Sequence, residues 1–167
     1  MTKSSPDTIT PNQPKTIRLA LQGGGSHAAF ARGVLDRLLE EDKLTIEGVS
    51  GTSAGAINGA LLACGVEAGG RARARQLLEN FWRKVSIAGG MLIKPTMLDK
   101  MMGSNLAFNP TFAAFDYVTR MFSPYQFNAL DINPIKDVVE ELVDFVVLRN
   151  GTQVKLFINA TNVHSGQ

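Results

Sequence analysis

Two short apolar runs in the first third of the chain each stop at a glycine cluster, and each is followed at once by a helical pattern. Ile17, Leu19 and Leu21 alternate with Arg18 and Ala20, which predicts a strand, and Gly23-Gly24-Gly25 ends it. From about Ser26 the period becomes helical. Phe30, Val34, Leu35, Leu38 and Leu39 share one face, and Glu40, Glu41 and Asp42 lead out into solvent. Residues 46–50 predict a second strand, which runs into Gly51-Thr52-Ser53-Ala54-Gly55. Residues 56–64 then read as a helix so poor in charge that burial against a sheet is expected. Strand-to-helix turns in succession are the building unit of a parallel sheet. The predicted class is α/β, a mainly parallel sheet flanked by helices.

Downstream, Gly65 is a natural helix stop. Residues 71–85 predict a third helix with Leu77, Leu78, Phe81, Trp82 and Val85 on one face. Arg71, Arg73 and Arg75 alternate; residues two apart on a helix point about 200° apart, so they are read as solvated charges and not as one patch. Residues 88–130 hold five of the six methionines and seven aromatics without clear periodicity. Asn133-Pro134 opens another helix, with Asn as N-cap, Pro in the first turn, and Ile135, Val138, Val139, Leu142 and Val143 as its core face. Asn150-Gly151 is a turn, and residues 154–159 predict a third strand. Residues 1–15 are polar with three prolines and are expected to be a disordered tail, leaving one domain over 16–167.

Composition narrows the function. Lys+Arg 17 against Asp+Glu 15 gives a net charge of +2, no field for holding a nucleic-acid backbone. Cys64 is the single cysteine, so no internal disulfide or multi-cysteine metal site can form, and it reads as a small buried hydrophobe. No apolar run reaches the roughly 18–20 residues of a membrane span, and the first residues lack a secretory signal. A soluble cytoplasmic protein is expected, with non-classical secretion as the alternative. Neither a metal nor a cofactor is expected.

Gly23-Gly24-Gly25-Ser26-His27-Ala28 fits the dinucleotide pattern G-x-G-x-x-A after a strand. That reading also wants an acidic residue ending the second strand; Glu47 stands before that end, and the strand closes on Val49-Ser50-Gly51. Residues 51–55 are a G-x-S-x-G. A serine on a tight strand-to-helix turn needs small flanking residues, which Gly51 and Gly55 supply, and the following helix directs its positive end at developing negative charge. Backbone N–H groups in the first glycine run can meet a tetrahedral oxyanion. Neighbouring parallel strands would bring the two turns to one edge of the sheet.

The segment QGGGSHAAFARGVLDRLLE, followed by GVSGTSAGAINGALLACG, resembles the patatin-like phospholipase family, and LFINATNVHSG is similar to its central strand. The resemblance implies that fold with a nucleophile elbow, and a lipid acyl hydrolase using a Ser–Asp dyad. By position it makes Ser53 the nucleophile and Gly24 and Gly25 the oxyanion donors, with Gly23 in the loop. It implies a phospholipid or other acyl ester as substrate and transient contact with a membrane surface. Residues 88–130 would then be packed core, acyl-chain cleft or lid.

The chain departs from that pattern at three places. His27 stands where the family has Arg or Lys, and Ala28 where it has Gly, which Ala can replace only at negative φ. No Asp-Gly, the family's base motif, occurs in the chain. Asp116, Asp131, Asp137 and Asp144 are base candidates by type only, with surface roles expected for Asp137 and Asp144; His164 could serve a triad, and His27 suits the oxyanion loop better. The expected base lies outside this chain, on a longer C-terminal part or a separate segment, which makes the domain incomplete at that end. Three predicted strands would expose a sheet edge, stabilised by the missing part or by a homo-oligomer. The alternative reading is a non-catalytic lipid-binding or interaction module of the same fold.

Overall fold

The computed structural model describes residues 14–92, 133–162 and Ser165, with side chains described as far as Ile87 in the first segment. Three strands form one parallel sheet in the order β1-β2-β3: β1 (Lys15–Leu21), β2 (Leu44–Thr52) and β3 (Lys155–Asn159). α1 (Ala28–Glu40) joins β1 to β2, and α2 (Ala54–Leu92) leaves β2. α3 (Pro134–Leu142) and α4 (Phe145–Asn150) precede β3. This is the expected α/β class. The chain divides into two compact units, residues 1–80 with 141–167, and residues 81–140.

In the first unit, Leu19, Val49 and Leu156 are paired across the sheet and share its helix-facing side. Gly59 of α2 sits against the side chains of Val49 and Leu156. The core includes Leu35 and Leu39 of α1, Val49, and Leu61, Leu62, Ala63, Cys64, Ala74, Leu77 and Leu78 of α2. Alternation sends Arg18, Ser50, Lys155 and Phe157 to the other face, where they line a shallow groove. The register slips between Ile17 and Arg18, and Arg18 bonds Glu47 there at 3.0 Å.

Several expectations need correction. β1 begins at Lys15, whose N–H donates to the Lys43 carbonyl, one residue before the expected Thr16. Residues 1–13 of the expected tail lie outside the described residues, as do residues 93–130 of the Met/Phe-rich stretch. Gly65 does not stop the helix. The break is at Gly69 and Gly70, with φ −176° and 73°, where the chain doubles back. Gly65 instead lies against the Ala74 backbone; a Cβ there would fall 2.6 Å from the Ala74 nitrogen. Phe30 and Val34 are 81% and 45% exposed, so the core stripe of α1 is only Ala28, Leu35 and Leu39.

The arginines of α2 are not free in solvent. Arg71 donates to the carbonyls of Glu41 (2.5 Å) and Leu44, fastening the α1–β2 turn. Arg75 forks onto Asp36 at 2.8 and 3.2 Å and reaches Glu40 at 2.7 Å. That hydrogen bond, aided by the Arg75 charge and opposed by burial, holds the Asp36 carboxyl below its usual range. Arg73 reaches Gln76 at 3.4 Å.

In the second unit, Asn133 caps α3 as expected, accepting from the Lys136 N–H at 3.1 Å. Ile135 of the expected core face is half exposed, and Phe81 meets Trp82 edge-on at 5.4 Å. Back in the first unit, the short α4 is an element that residue periodicity did not indicate.

Candidate active site

Ser53 is the single residue between β2 and α2. Its φ of 54° lies in the left-handed region, and among the described residues it is the only non-glycine there. An L-residue held in that region costs roughly 1–2 kcal/mol, so the surroundings must enforce it. The Ser53 carbonyl accepts the first bonds of α2, from the N–H groups of Ala56 (2.9 Å) and Ile57 (3.2 Å). The residue itself is exposed. No acidic side chain lies in the first turn of α2 to offset the positive end of that helix.

The flanking glycines are contact surfaces. A Cβ on Gly51 would lie 2.6 Å from the Gly55 carbonyl oxygen, and one on Gly55 would overlap the Leu21 carbonyl and fall 2.7 Å from the Gln22 carbonyl oxygen. The start of α2 therefore rests on backbone at the end of β1. The same closeness brings in the first glycine run: a Cβ on Gly23 would be 3.0 Å from the Ser53 Cβ and 3.0 Å from the Thr52 carbonyl oxygen. The two glycine motifs, expected at one sheet edge, are in contact.

After Gly23 the chain makes a 3-10 turn over Gly25–His27, with Gly25 at φ 55°. The Gly24 carbonyl accepts the His27 N–H at 3.1 Å and faces the His27 Nδ1 at 3.2 Å. Ala28 has φ −67°, which an alanine adopts without strain. Fully buried Asn58 donates through Nδ2 to the Ala28 carbonyl at 3.0 Å, tying the elbow helix to the far end of the glycine loop.

Of the base candidates, Asp144 is engaged elsewhere. Its carboxylate caps α4, accepting from the N–H groups of Val146 and Val147 at 2.9 and 3.1 Å, a capping role in place of the surface ion pair expected. Asp137 lies in the first turn of α3. Asp116, Asp131 and His164 lie outside the described residues. Cys64 is buried, its Sγ 3.8 Å from the Asp144 carbonyl. Among the described residues, no group of three or more His, Cys, Asp or Glu could hold a metal ion, and no helix is long and apolar enough to cross a membrane.

The family model described as patatin-like phospholipase matches residues 19–165. The chain belongs to the patatin-like phospholipase family. That family membership makes it a member of a class of lipid acyl hydrolases acting on lipid substrates. Compared with curated proteins and with solved structures, the chain gives no significant match.

Three residues of this patatin-like chain escaped the sequence reading: Asn58, Glu67 and Arg71. Asn58 had a visible signal, as the lone amide in an otherwise small and apolar helix. Glu67 and Arg71 had none, because their partners are backbone groups 27 to 87 residues away. Glu67 accepts from the N–H groups of Gln153 (2.6 Å) and Val154 (3.1 Å), where the chain enters β3.

Proposed function

We propose that this patatin-like chain is a serine lipid acyl hydrolase, phospholipase A-like, with Ser53 as nucleophile. The Ser53 Oγ attacks the acyl carbonyl of a phospholipid or other acyl ester. The carbonyl oxygen becomes an oxyanion held by the Gly24 and Gly25 N–H groups, with the positive end of α2 behind the nucleophile. The alcohol leaves with a proton, and water then releases the fatty acid from the acyl-serine. The base is an aspartate supplied from outside the 167 residues, since they hold no Asp-Gly.

One observation carries this reading. Ser53 is held at φ 54° with Gly23 packed on its Cβ, a strained nucleophile position touching the glycine loop. Strain of that kind persists only where the surroundings enforce it, and it presents a side chain at a φ that glycine would adopt without strain.

The test is hydrolysis of medium- and long-chain acyl esters by the full-length protein, with fluorophosphonate labelling followed by peptide mapping. Ser53→Ala should abolish both. Hydrolysis that survives Ser53→Ala overturns the assignment. Labelling of Ser53 without turnover in the 167-residue chain, restored by adding an Asp-Gly-bearing segment, is the result expected if the base lies outside it.

A further inference from the structure

The residue at position 27 is a place where this chain leaves its family's pattern, and its side chain is not idle. The Gly24 carbonyl is gripped twice, by the His27 backbone N–H at 3.1 Å and by the imidazole Nδ1 at 3.2 Å. A carbonyl oxygen only accepts, so the ring contact is a hydrogen bond when Nδ1 carries the proton. The Gly24–Gly25 peptide is planar and trans, so its C=O and N–H point in opposite directions. Drawing the Gly24 oxygen back toward His27 therefore turns the Gly25 N–H the other way, out of the 3-10 turn.

Among the described residues, no other side chain hydrogen-bonds this peptide. Gly24 and Gly25 have none of their own, and among the described residues, its chain neighbours apart, no atom lies within 4 Å of where a Gly25 Cβ would be. A glycine peptide without a second restraint flips readily, because both glycines tolerate either sign of φ. An oxyanion donor is useful only if it already points at the reacting oxygen.

We propose that the His27 imidazole is a positioning residue: its Nδ1–H holds the Gly24 carbonyl and thereby presents the Gly25 N–H to the oxyanion. The proposal rests on the hydrolase reading above and adds a role for a side chain that touches no substrate. It predicts that the neutral His27 is the Nδ1–H tautomer, since the other tautomer would set a lone pair against the Gly24 oxygen.

The experiment compares His27→Phe, which keeps a flat ring without the donor, with His27→Asn, whose amide nitrogen can reach the same carbonyl. With an acyl ester substrate and the full-length protein, His27→Phe should lower kcat about tenfold, the weight of one lost positioning hydrogen bond, with KM nearly unchanged. His27→Asn should recover most of that loss. Fluorophosphonate labelling of Ser53 should slow and recover in parallel, because the phosphonyl oxygen needs the same donors. Nitrogen-15 NMR of the wild-type imidazole should report the Nδ1–H form. Equal kcat and labelling in wild type and His27→Phe, or an Nε2–H tautomer, would overturn the proposal. Loss of all Ser53-dependent hydrolysis in the wild type would instead count against the hydrolase reading, and the labelling and tautomer measurements would still decide the role of His27.

Discussion

Replacing Gly55 with alanine asks whether the site is made by the distance between helix and strand. The added Cβ would meet three atoms of the main chain: the Leu21 oxygen, the Gln22 oxygen at 2.7 Å and the Leu21 carbon at 2.8 Å. Ordinary van der Waals contact begins at 3.4 Å, so backbone must give way by about 0.7 Å or more. No rotamer change can relieve this, because none of the three atoms belongs to a side chain. Overpacking of a well-filled site costs about 1–3 kcal/mol, and a clash with backbone belongs at the upper end. For a domain of this size that is a Tm lower by roughly 5–12 °C. The larger effect should be on the chemistry. Gln22 immediately precedes Gly23, so moving Gln22 off α2 also moves Gly23 off Ser53, and a misplacement near 1 Å can cost about a hundredfold in rate. The assay is a thermal melt beside the rate of fluorophosphonate labelling at Ser53. Gly33→Ala is the control, with nothing beyond its own helix within 4 Å of its Cβ among the described residues and a place inside α1, where alanine should stabilise by about 0.5–1 kcal/mol. If Gly55→Ala melts and labels like wild type, the close approach does not build the site and the reasoning fails.

Two further outcomes follow from the ties around the elbow. Asn58→Leu leaves the buried Ala28 carbonyl without its 3.0 Å donor and should destabilise by about 1–3 kcal/mol, with slower Ser53 labelling; a neutral result in both would remove Asn58 from the support of the loop. Burial pushes the Glu67 carboxyl up, but the N–H groups of Val154, Gln153 and Thr152 and the Gln153 side chain outweigh it, bringing it below its ordinary 4.5. A folded-state pKa below the unfolded one means this stabilisation is present above pH 4.5 and is lost as pH falls below it. Glu67→Gln should therefore lose about 1 kcal/mol at neutral pH and show a shallower acid limb in a pH series of melts; parallel curves would refute the assignment.

What could be read from residue order was what is local. The three strands follow from short apolar runs, and the elbow from glycines spaced around Ser53. Ala28 was the informative substitution, allowed on condition of a negative φ, and its φ is −67°. What could not be read depends on partners far along the chain. Gly65 looks like a stop because glycine commonly ends helices, yet here it clears space for Ala74 after the chain reverses at Gly69 and Gly70. Arg71 and Arg75 look like solvent charges because their alternation with Arg73 makes no single patch, yet each finds its own partners, Arg71 the α1–β2 turn and Arg75 two carboxylates of α1. Phe30 and Val34 keep the helical period of a core face and remain exposed. Periodicity assigns a residue to a face of a helix; it does not say how wide the buried stripe is.

The small residues of α2 connect fold to chemistry. Gly55, Gly59 and Ala63 recur every four positions, one line along a helix. Gly55 lies on the end of β1, Gly59 on Val49 and Leu156, and Ala63 is fully buried. A larger side chain at the first two positions would hold the helix off the sheet. With the helix farther out, its first turn could not reach the Leu21 and Gln22 carbonyls, and Ser53 would have no Gly23 beside it. The strain at Ser53 has the same origin: a strand ending under a helix that lies this close leaves one residue to reverse direction, and a left-handed φ is how the chain does it. The glycines that read in the sequence as room for a tight turn thus act in the folded chain as the surfaces that set the distance between Ser53 and the glycine loop.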